Sequence, residues 1–224
     1  NDLTRLLAKR GTVRAYKPDP VPDAWVDAII ENGMRAPTSS NIQAYSVIVI
    51  KDLEIRRQLS EIASMQQHII DCPVFFAICA DLTRVAHGIS LHGAEYEGRT
   101  LEAALVASLD ASLLGMTMSL VSQSFGLSNV FIGALRNNTL EVARILKLPP
   151  RCYVVFGMCI GWAKKQPLPK PRMPLEGVVH HDTYDPKARA QAVDDYNREL
   201  AQYYRERGVE TPDRELIERV IASY

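Results

Sequence analysis

The chain has 224 residues, of which 47% are apolar, so it is long enough to bury a substantial core. Its 26 basic and 26 acidic side chains cancel, which excludes a global electrostatic field that would attract nucleic acid or a membrane surface. We therefore predict a single domain over residues 1–224, without a nucleic-acid or membrane partner, in which any anion site is local.

Four cysteines, Cys72, Cys79, Cys152 and Cys159, form two pairs seven positions apart, each inside an apolar run. This is neither the tight C-x-x-C spacing of zinc sites nor the framework of a small secreted chain, so we expect buried free thiols and no metal site. Residues 1–10 are charged and lack the apolar core of a signal peptide, and no apolar run approaches the roughly 20 residues that span a bilayer. These features predict a cytoplasmic protein.

The leucines of residues 3–7 have helical spacing, and the predicted helix ends in a basic turn. In this turn Lys9, Arg10 and Arg14 surround the hydroxyl of Thr12, with Gly11 between them. Charge-assisted hydrogen bonds from such a turn could hold a phosphate, and the alternative is a solvated surface cluster.

Residues 36–43 are small and polar and separate a helix predicted over 23–35, with Asp23 as its N-cap, from a strand predicted over 45–50. Thr38, Ser39 and Ser40 belong to this loop. Such a loop either solvates itself through local turns or presents hydrogen-bond donors to a polar ligand. We next predict a helix over 53–62, a short segment after Gln66, and a strand over 74–80 that is covered on both faces.

An irregular segment over residues 84–98 precedes a long apolar helix at 101–125. A helix that is apolar on most sides is buried in the core or against a partner subunit. Ala107, Ala111 and Gly115 keep one side narrow, which permits close helix packing. We predict a central helix that lines a dimer interface.

A strand is predicted over 129–134, where Gly133 either permits a close approach or makes the turn. A second apolar strand covers 153–160, and helices are predicted over 139–146, 186–207 and 213–222. Between them, Lys170 and Arg172 stand on a proline-stiffened strip on which we expect both charged groups to project. Such a strip suits an anionic ligand, and the alternative is a solvated loop.

Taken together, four segments resemble the nitroreductase superfamily of FMN-dependent oxidoreductases. Within it, they resemble the branch that contains nitroreductase A and bacterial flavin reductases. Residues 10–14 match the R-x-S-x-R turn, and residues 36–43 the Ser-rich loop. Residues 131–138 match the Y-I-G-G-L-R-N-N segment, and residues 157–174 the F-G-x-x-x-G-W and K-P-R-x-P signature. The resemblance implies an α+β fold with a mixed, mostly antiparallel sheet flanked by helices, in an intertwined homodimer.

The resemblance also implies which residues bind the FMN. The implied set is Arg10, Gly11, Thr12 and Arg14 at the phosphate and ribityl end, Thr38, Ser39 and Ser40 from the other subunit, Gln66, Phe131, Ile132, Gly133 and Ala134 along the ring, and the cations Lys170 and Arg172. One departure is Gly11, which stands where similar proteins have an Arg, and Lys9 is the candidate substitute. No residue can be assigned to binding of the NADPH 2′-phosphate, so the choice between NADPH and NADH stays open.

The implied activity is ping-pong reduction of nitroaromatics, quinones or free flavin by NADPH or NADH. Hydride transfer requires positioning alone, so we predict no catalytic acid, base or nucleophile. The alternatives are a superfamily member with another reaction, such as reductive dehalogenation or flavin fragmentation, a flavin-binding protein without turnover, and a dimeric scaffold.

Overall fold

A four-stranded antiparallel sheet organises the computed structural model, which describes residues 1–208. Its spatial order is β1-β2-β4-β3, with β1 at Tyr45–Val49, β2 at Val74–Asp81, β3 at Ser128–Ile132 and β4 at Cys152–Gly161. The strands β1 and β3 therefore form opposite edges. The prediction of a mixed, mostly antiparallel sheet is confirmed in its main part, since all three pairings in the described residues are antiparallel.

Strand β2 is buried along its whole length because helices cover both faces of the sheet. Its side chains alternate between two cores: Phe75 and Ala77 belong to one, and Phe76 and Ile78 to the other. This double burial explains the uninterrupted apolar sequence, and the prediction of a strand covered on both faces is confirmed.

Eight α-helices lie in the described residues. They are α1 (Asp2–Lys9), α2 (Asp23–Gly33), α3 (Leu53–Ile62), α4 (His68–Asp71), α5 (Thr83–Ser90), α6 (Leu101–Ser124), α7 (Thr139–Ile145) and α8 (Pro186–Arg205). Side chains of α2 and α6 pack on one face of the sheet, and those of α3, α4 and α7 on the other. This arrangement is the predicted α+β architecture.

Local details differ from the sequence predictions at several helix ends. The cap of α2 is Pro22 and Asp23 is the first helical residue, so the prediction of an Asp23 N-cap is wrong, since proline fixes the preceding extended backbone. The irregular segment predicted from residue 84 begins as the regular helix α5. The helix predicted over 213–222 lies outside the described residues.

Helix α6 has two distinct sides. Ala107 and Ala111 are buried, and a Cβ on Gly115 would lie 2.7 Å from the Phe156 ring, so the narrow side packs against the chain's own sheet. The opposite side forms an exposed apolar stripe of Leu101, Leu105, Leu109, Leu113 and Met116. The small residues therefore pack in the core, and the leucines stay exposed on the single chain.

Helix α6, with a mean hydropathy of 1.6, is also long enough and apolar enough to cross a membrane. This differs from the expectation that no apolar run approaches the length of a membrane span. A core helix of a soluble protein passes the same test. The polar side chains of α6 are committed within the chain: Asp110 accepts backbone hydrogen bonds and Ser119 contacts Asn129.

The antiparallel register of β2 and β4 changes the cysteine pairs. Cys79 lies beside Cys152, and Cys72 beside Cys159, whereas the sequence spacing pairs 72 with 79 and 152 with 159. The proximity of the first two thiols raises the pKa of Cys79 and lowers the pKa of Cys152. All four thiols are free, as predicted, although Cys152 is only half-buried. Within residues 1–208, no cluster of His, Cys, Asp and Glu could hold a metal ion.

The chain divides into two compact units, Asn1–Pro167 and the residues from Leu168 onward. The first contains the sheet and α1 to α7, and the second contains the basic proline-rich strip and α8. The assignment of residues 1–224 to a single domain stays a prediction.

Candidate functional site

The basic turn after α1 lies against the β3 edge of the sheet. The backbone leaves the helix at Arg10 in an extended conformation, and the Val13 N–H donates to the Asn129 carbonyl at 3.2 Å. The Arg10 guanidinium carbon lies 5.9 Å from the centre of the Phe131 ring, within reach of a cation–π interaction. The basic turn and the segment around Phe131, which both belong to the predicted FMN site, are therefore neighbours.

A pocket of 280 Å³ opens beside this turn, and Arg5, Lys9, Arg10 and Gln166 contribute to its walls. Gly11 also lines it, and a Cβ on Gly11 would come within 2.4 Å of the Pro167 Cγ atom. An arginine at position 11 would therefore collide with Pro167, which explains the departure from the usual turn. Lys9 lines the same pocket, which is consistent with its role as the substitute cation.

Arg14 lies near His68. His68 is the first residue of α4 and follows Gln66 by two positions. The imidazole is 8% exposed, and its Nε2 atom has no hydrogen-bond partner within residues 1–208. Burial and the positive charge of Arg14 lower the pKa of His68, while Asp71 acts in the opposite direction. Gln66 is half-buried, and its backbone carbonyl accepts a hydrogen bond of 3.1 Å from the Ser60 hydroxyl. Gln66 therefore precedes by two positions the histidine that lies near Arg14.

The turn that follows β3 is fixed by polar contacts to its neighbours. Gly133 opens a 3-10 turn through Asn138, and a Cβ at Gly133 would lie 3.2 Å from the Arg136 guanidinium. Arg136 donates to the Val155 carbonyl at 2.6 Å, and the Asn137 amide donates to the Ile62 carbonyl at 3.3 Å. Glycine at position 133 thus avoids a tight contact with Arg136. The backbone at Phe131–Ala134 lies beside the basic turn that contains Arg10 and Arg14, which we call the arginine turn.

The Ser-rich loop has a different anchor. Ser39–Asn41 form a 3-10 turn, and Ser40, Asn41 and Gln43 have positive φ values of 48°, 55° and 54°. The Asp110 carboxylate of α6, 1% exposed, accepts the Ser39 N–H at 2.9 Å and the Ala44 N–H at 3.1 Å. The sequence analysis missed Asp110, although a signal existed: it is the only charged residue between Ala103 and Ser124.

This loop is remote from the arginine turn within one chain. The loop leads into β1, whereas the turn lies at β3, three strand spacings or about 14 Å away. Along α6, the loop is anchored at Asp110 and β3 at Ser119, which hydrogen-bonds Asn129 at 3.0 Å. Nine positions of helix correspond to about 13 Å. The described part of one chain thus gathers residues 10–14, 66 and 131–134, and leaves Thr38, Ser39 and Ser40 at the other edge.

The two cations of the strip belong to the second unit. Lys170 donates to the Tyr204 hydroxyl at 3.1 Å, and its ammonium lies 5.5 Å from the centre of that ring. Arg172 folds back and donates to the Lys170 and Pro171 carbonyls at 3.2 and 3.0 Å. The expectation that both charged groups project therefore does not hold: Lys170 contacts Tyr204, and Arg172 donates to backbone carbonyls of its own strip.

Comparison with known proteins identifies the family of this chain. The family model "Nitroreductase family" matches residues 7–162, and "Nitroreductase family, C-terminal domain" matches residues 170–224. The chain belongs to the nitroreductase family. The predicted family is confirmed, and with it the enzyme class, an oxidoreductase.

Among curated members of the nitroreductase family, the oxygen-insensitive NADPH nitroreductase of Salmonella typhimurium is 34% identical over 209 residues, covering 92% of this chain and 84% of that protein. The FMN reductase (NAD(P)H) of Bacillus subtilis is 33% identical over 210 residues, with the same coverage of 92% and 84%.

Among solved structures, B. megaterium NfrA2 has a TM-score of 0.94 at 30% identity. The match covers 100% of this chain and 92% of the NfrA2 chain. The NADPH:FMN oxidoreductase from Vibrio harveyi, complexed with NAD+, has a TM-score of 0.89 at 27% identity, with coverage of 99% and 92%. The predicted nitroreductase-like fold is confirmed.

Proposed function

We propose that this nitroreductase-family enzyme binds FMN and uses NADPH or NADH to reduce small acceptors by a ping-pong mechanism. The acceptors are nitroaromatics, quinones or free flavin. The observation that carries the proposal is the contact of the basic turn with β3, where the Arg10 guanidinium lies 5.9 Å from the Phe131 ring and the Val13 N–H donates to the Asn129 carbonyl. The family match and the names of the relatives, an NADPH nitroreductase and FMN reductases, support it.

The residues at this edge fit an anionic, planar cofactor. Arg10 and Arg14 supply guanidinium donors for anionic oxygens, and the exposed Thr12 adds a hydroxyl. The buried Nε2 atom of His68, which lacks a partner within residues 1–208, indicates a polar group still to be satisfied there. When bound, FMN supplies the ring that accepts and passes on the hydride.

The remaining predicted residues have supporting roles. Gln66 and the backbone of Phe131, Ile132, Gly133 and Ala134 orient the ring, with Gly11 permitting close packing of the turn. The resemblance adds the cations Lys170 and Arg172. Catalysis then rests on orientation of the nicotinamide and the acceptor in turn, without a protein acid or base.

The active species is a homodimer. In a single chain the anchors of Thr38–Ser40 and of β3 are about 13 Å apart along α6, at Asp110 and Ser119, so a second copy is the natural source of that loop. The exposed apolar stripe on α6 offers a surface for this second copy. The free thiols are consistent with a reducing, cytoplasmic compartment.

The proposal is tested with the purified protein. We expect a yellow protein, or a colourless one that takes up added FMN, and steady oxidation of NADPH or NADH with a quinone. Protein that neither contains nor binds FMN would overturn the proposal. FMN binding without turnover would favour a storage role, and product analysis separates quinone reduction from dehalogenation or flavin fragmentation. Comparing NADPH with NADH oxidation rates fixes the nucleotide preference.

A further inference from the structure

Asp110 is a buried carboxylate in the largely apolar helix α6. Its exposed fraction is 1%, its neighbour Ala111 is buried in the core, and Leu109 on its other side is 61% exposed. Burying a carboxylate is unfavourable unless hydrogen bonds replace its water shell. The position of Asp110 must therefore be explained by what it binds.

Both oxygens of Asp110 bind the backbone of the Ser-rich loop. Oδ1 accepts the Ser39 N–H at 2.9 Å and Oδ2 accepts the Ala44 N–H at 3.1 Å, so one carboxylate closes the loop at both ends. Between these ends lie three residues in the left-handed region, Ser40, Asn41 and Gln43, none of which is glycine. Such a strained loop keeps its shape only where its surroundings enforce it, and strain of this kind concentrates at functional sites.

Asp110 also stands beside the surface that we assign to the second copy. Leu109 and Leu113 of the exposed stripe flank it on the same helix. The helix that forms the subunit boundary therefore fixes the shape of the loop that is offered across that boundary.

We propose that Asp110 is a positioning residue for the cofactor site of the partner copy, because it holds Thr38, Ser39 and Ser40 in the shape that reaches the FMN bound by the other chain. This inference rests on the proposed function. It adds a residue outside the set of cofactor contacts, and it makes cofactor affinity depend on a charge that the cofactor does not touch.

The first test is Asp110→Asn, which keeps the size of the side chain but leaves one acceptor for two N–H groups. We expect the Kd for FMN to rise at least about tenfold, the scale of losing one hydrogen bond to a charged group. Melting temperature and dimer mass are measured on the same samples, and turnover should return to the wild-type value at saturating FMN. Glu102→Gln makes the same charge change at an exposed site of α6 and should leave the Kd unchanged. An unchanged Kd in Asp110→Asn would overturn the inference.

A second pair of variants covers the case in which Asp110→Asn does not fold. Ser39→Pro removes the N–H that Asp110 accepts, at the first position of a helical turn, where proline is tolerated. Ser39→Ala removes only the hydroxyl. We expect Ser39→Pro to weaken FMN binding at least about tenfold beyond Ser39→Ala, and equal affinities would contradict the proposed clamp.

A mixed dimer tests action across the subunits. One chain carries Arg14→Ala and the other Asp110→Asn, each with a different tag for purification of the heterodimer. If Asp110 serves the partner's site, both changes fall in one site and the other stays intact, giving tight binding of one FMN per dimer. If Asp110 serves its own chain, both sites are weakened and no tight FMN remains, which overturns the inference. Wild-type protein that binds no FMN would instead overturn the proposed function itself.

Discussion

Gly11 and Pro167 are in direct contact, so closely that a Cβ on Gly11 would lie 2.4 Å from the Pro167 Cγ atom. The contact joins the basic turn to the end of the first unit, where Gln166 and Pro167 line the pocket next to Arg10. The missing arginine at position 11 is therefore accompanied by a proline that occupies its space.

Replacing Gly11 by alanine should destabilise the protein because the new methyl group overlaps the proline ring. We expect the free energy of unfolding in urea to fall by about 1–3 kcal/mol, the usual range for overpacking. Gly88→Ala is the matched control, since a Cβ at Gly88 meets nothing within 4 Å and lies in helix α5. Gly88→Ala should keep or raise the free energy of unfolding, because alanine is the better helix former, and no loss in Gly11→Ala would contradict the contact.

Removing either of two cations should weaken FMN retention. We expect Arg14→Ala and Lys170→Ala each to raise the Kd for FMN about tenfold or more, as for the loss of a charged hydrogen bond. Flavin fluorescence during titration measures it. Arg57→Ala is the control, because Arg57 is exposed on α3 and pairs with Glu54. Unchanged retention in both test variants would contradict the site assignment.

The pH dependence of stability should contain a contribution from His68. Burial and the charge of Arg14 lower the pKa of its imidazole from 6.5, against a smaller opposing effect of Asp71. The unfolded chain therefore takes up a proton that the folded chain resists, so stability present above about pH 6.5 is lost as the pH falls through the lowered pKa.

Urea unfolding at about pH 7.5 and about pH 5.5 measures this contribution. His68→Gln should reduce the loss of stability at the lower pH, whereas His87→Gln, at an exposed site of α5, should not. An unchanged pH dependence in His68→Gln would show that His68 titrates normally.

A charge on the apolar stripe of α6 should separate the subunits. Leu109 is 61% exposed in the single chain, so Leu109→Glu should leave the fold intact while placing an unpaired charge in the interface. We expect the dimer dissociation constant to rise at least about tenfold, measured by analytical ultracentrifugation. Leu140→Glu is the control at another exposed leucine, 83% exposed on α7. Equal effects of the two variants would place the interface elsewhere.

The secondary-structure elements and the family could be predicted from the amino-acid sequence alone. Uninterrupted apolar runs located β2 and α6, because β2 is buried on both faces and α6 carries apolar side chains both on its buried side and on its exposed stripe. The segments at residues 10–14, 36–43, 131–138 and 157–174 indicated the nitroreductase family, since they are local stretches that can be read without coordinates.

Which of these segments lie close together depends on the three-dimensional fold. The antiparallel register of β2 and β4 placed Cys79 beside Cys152, against the spacing in the sequence. The strand order set the Ser-rich loop and the arginine turn at opposite edges, and the fold brought Asp110 under Ser39, 71 positions away. Contacts between residues distant in sequence depend on strand order and packing, which local patterns leave undetermined.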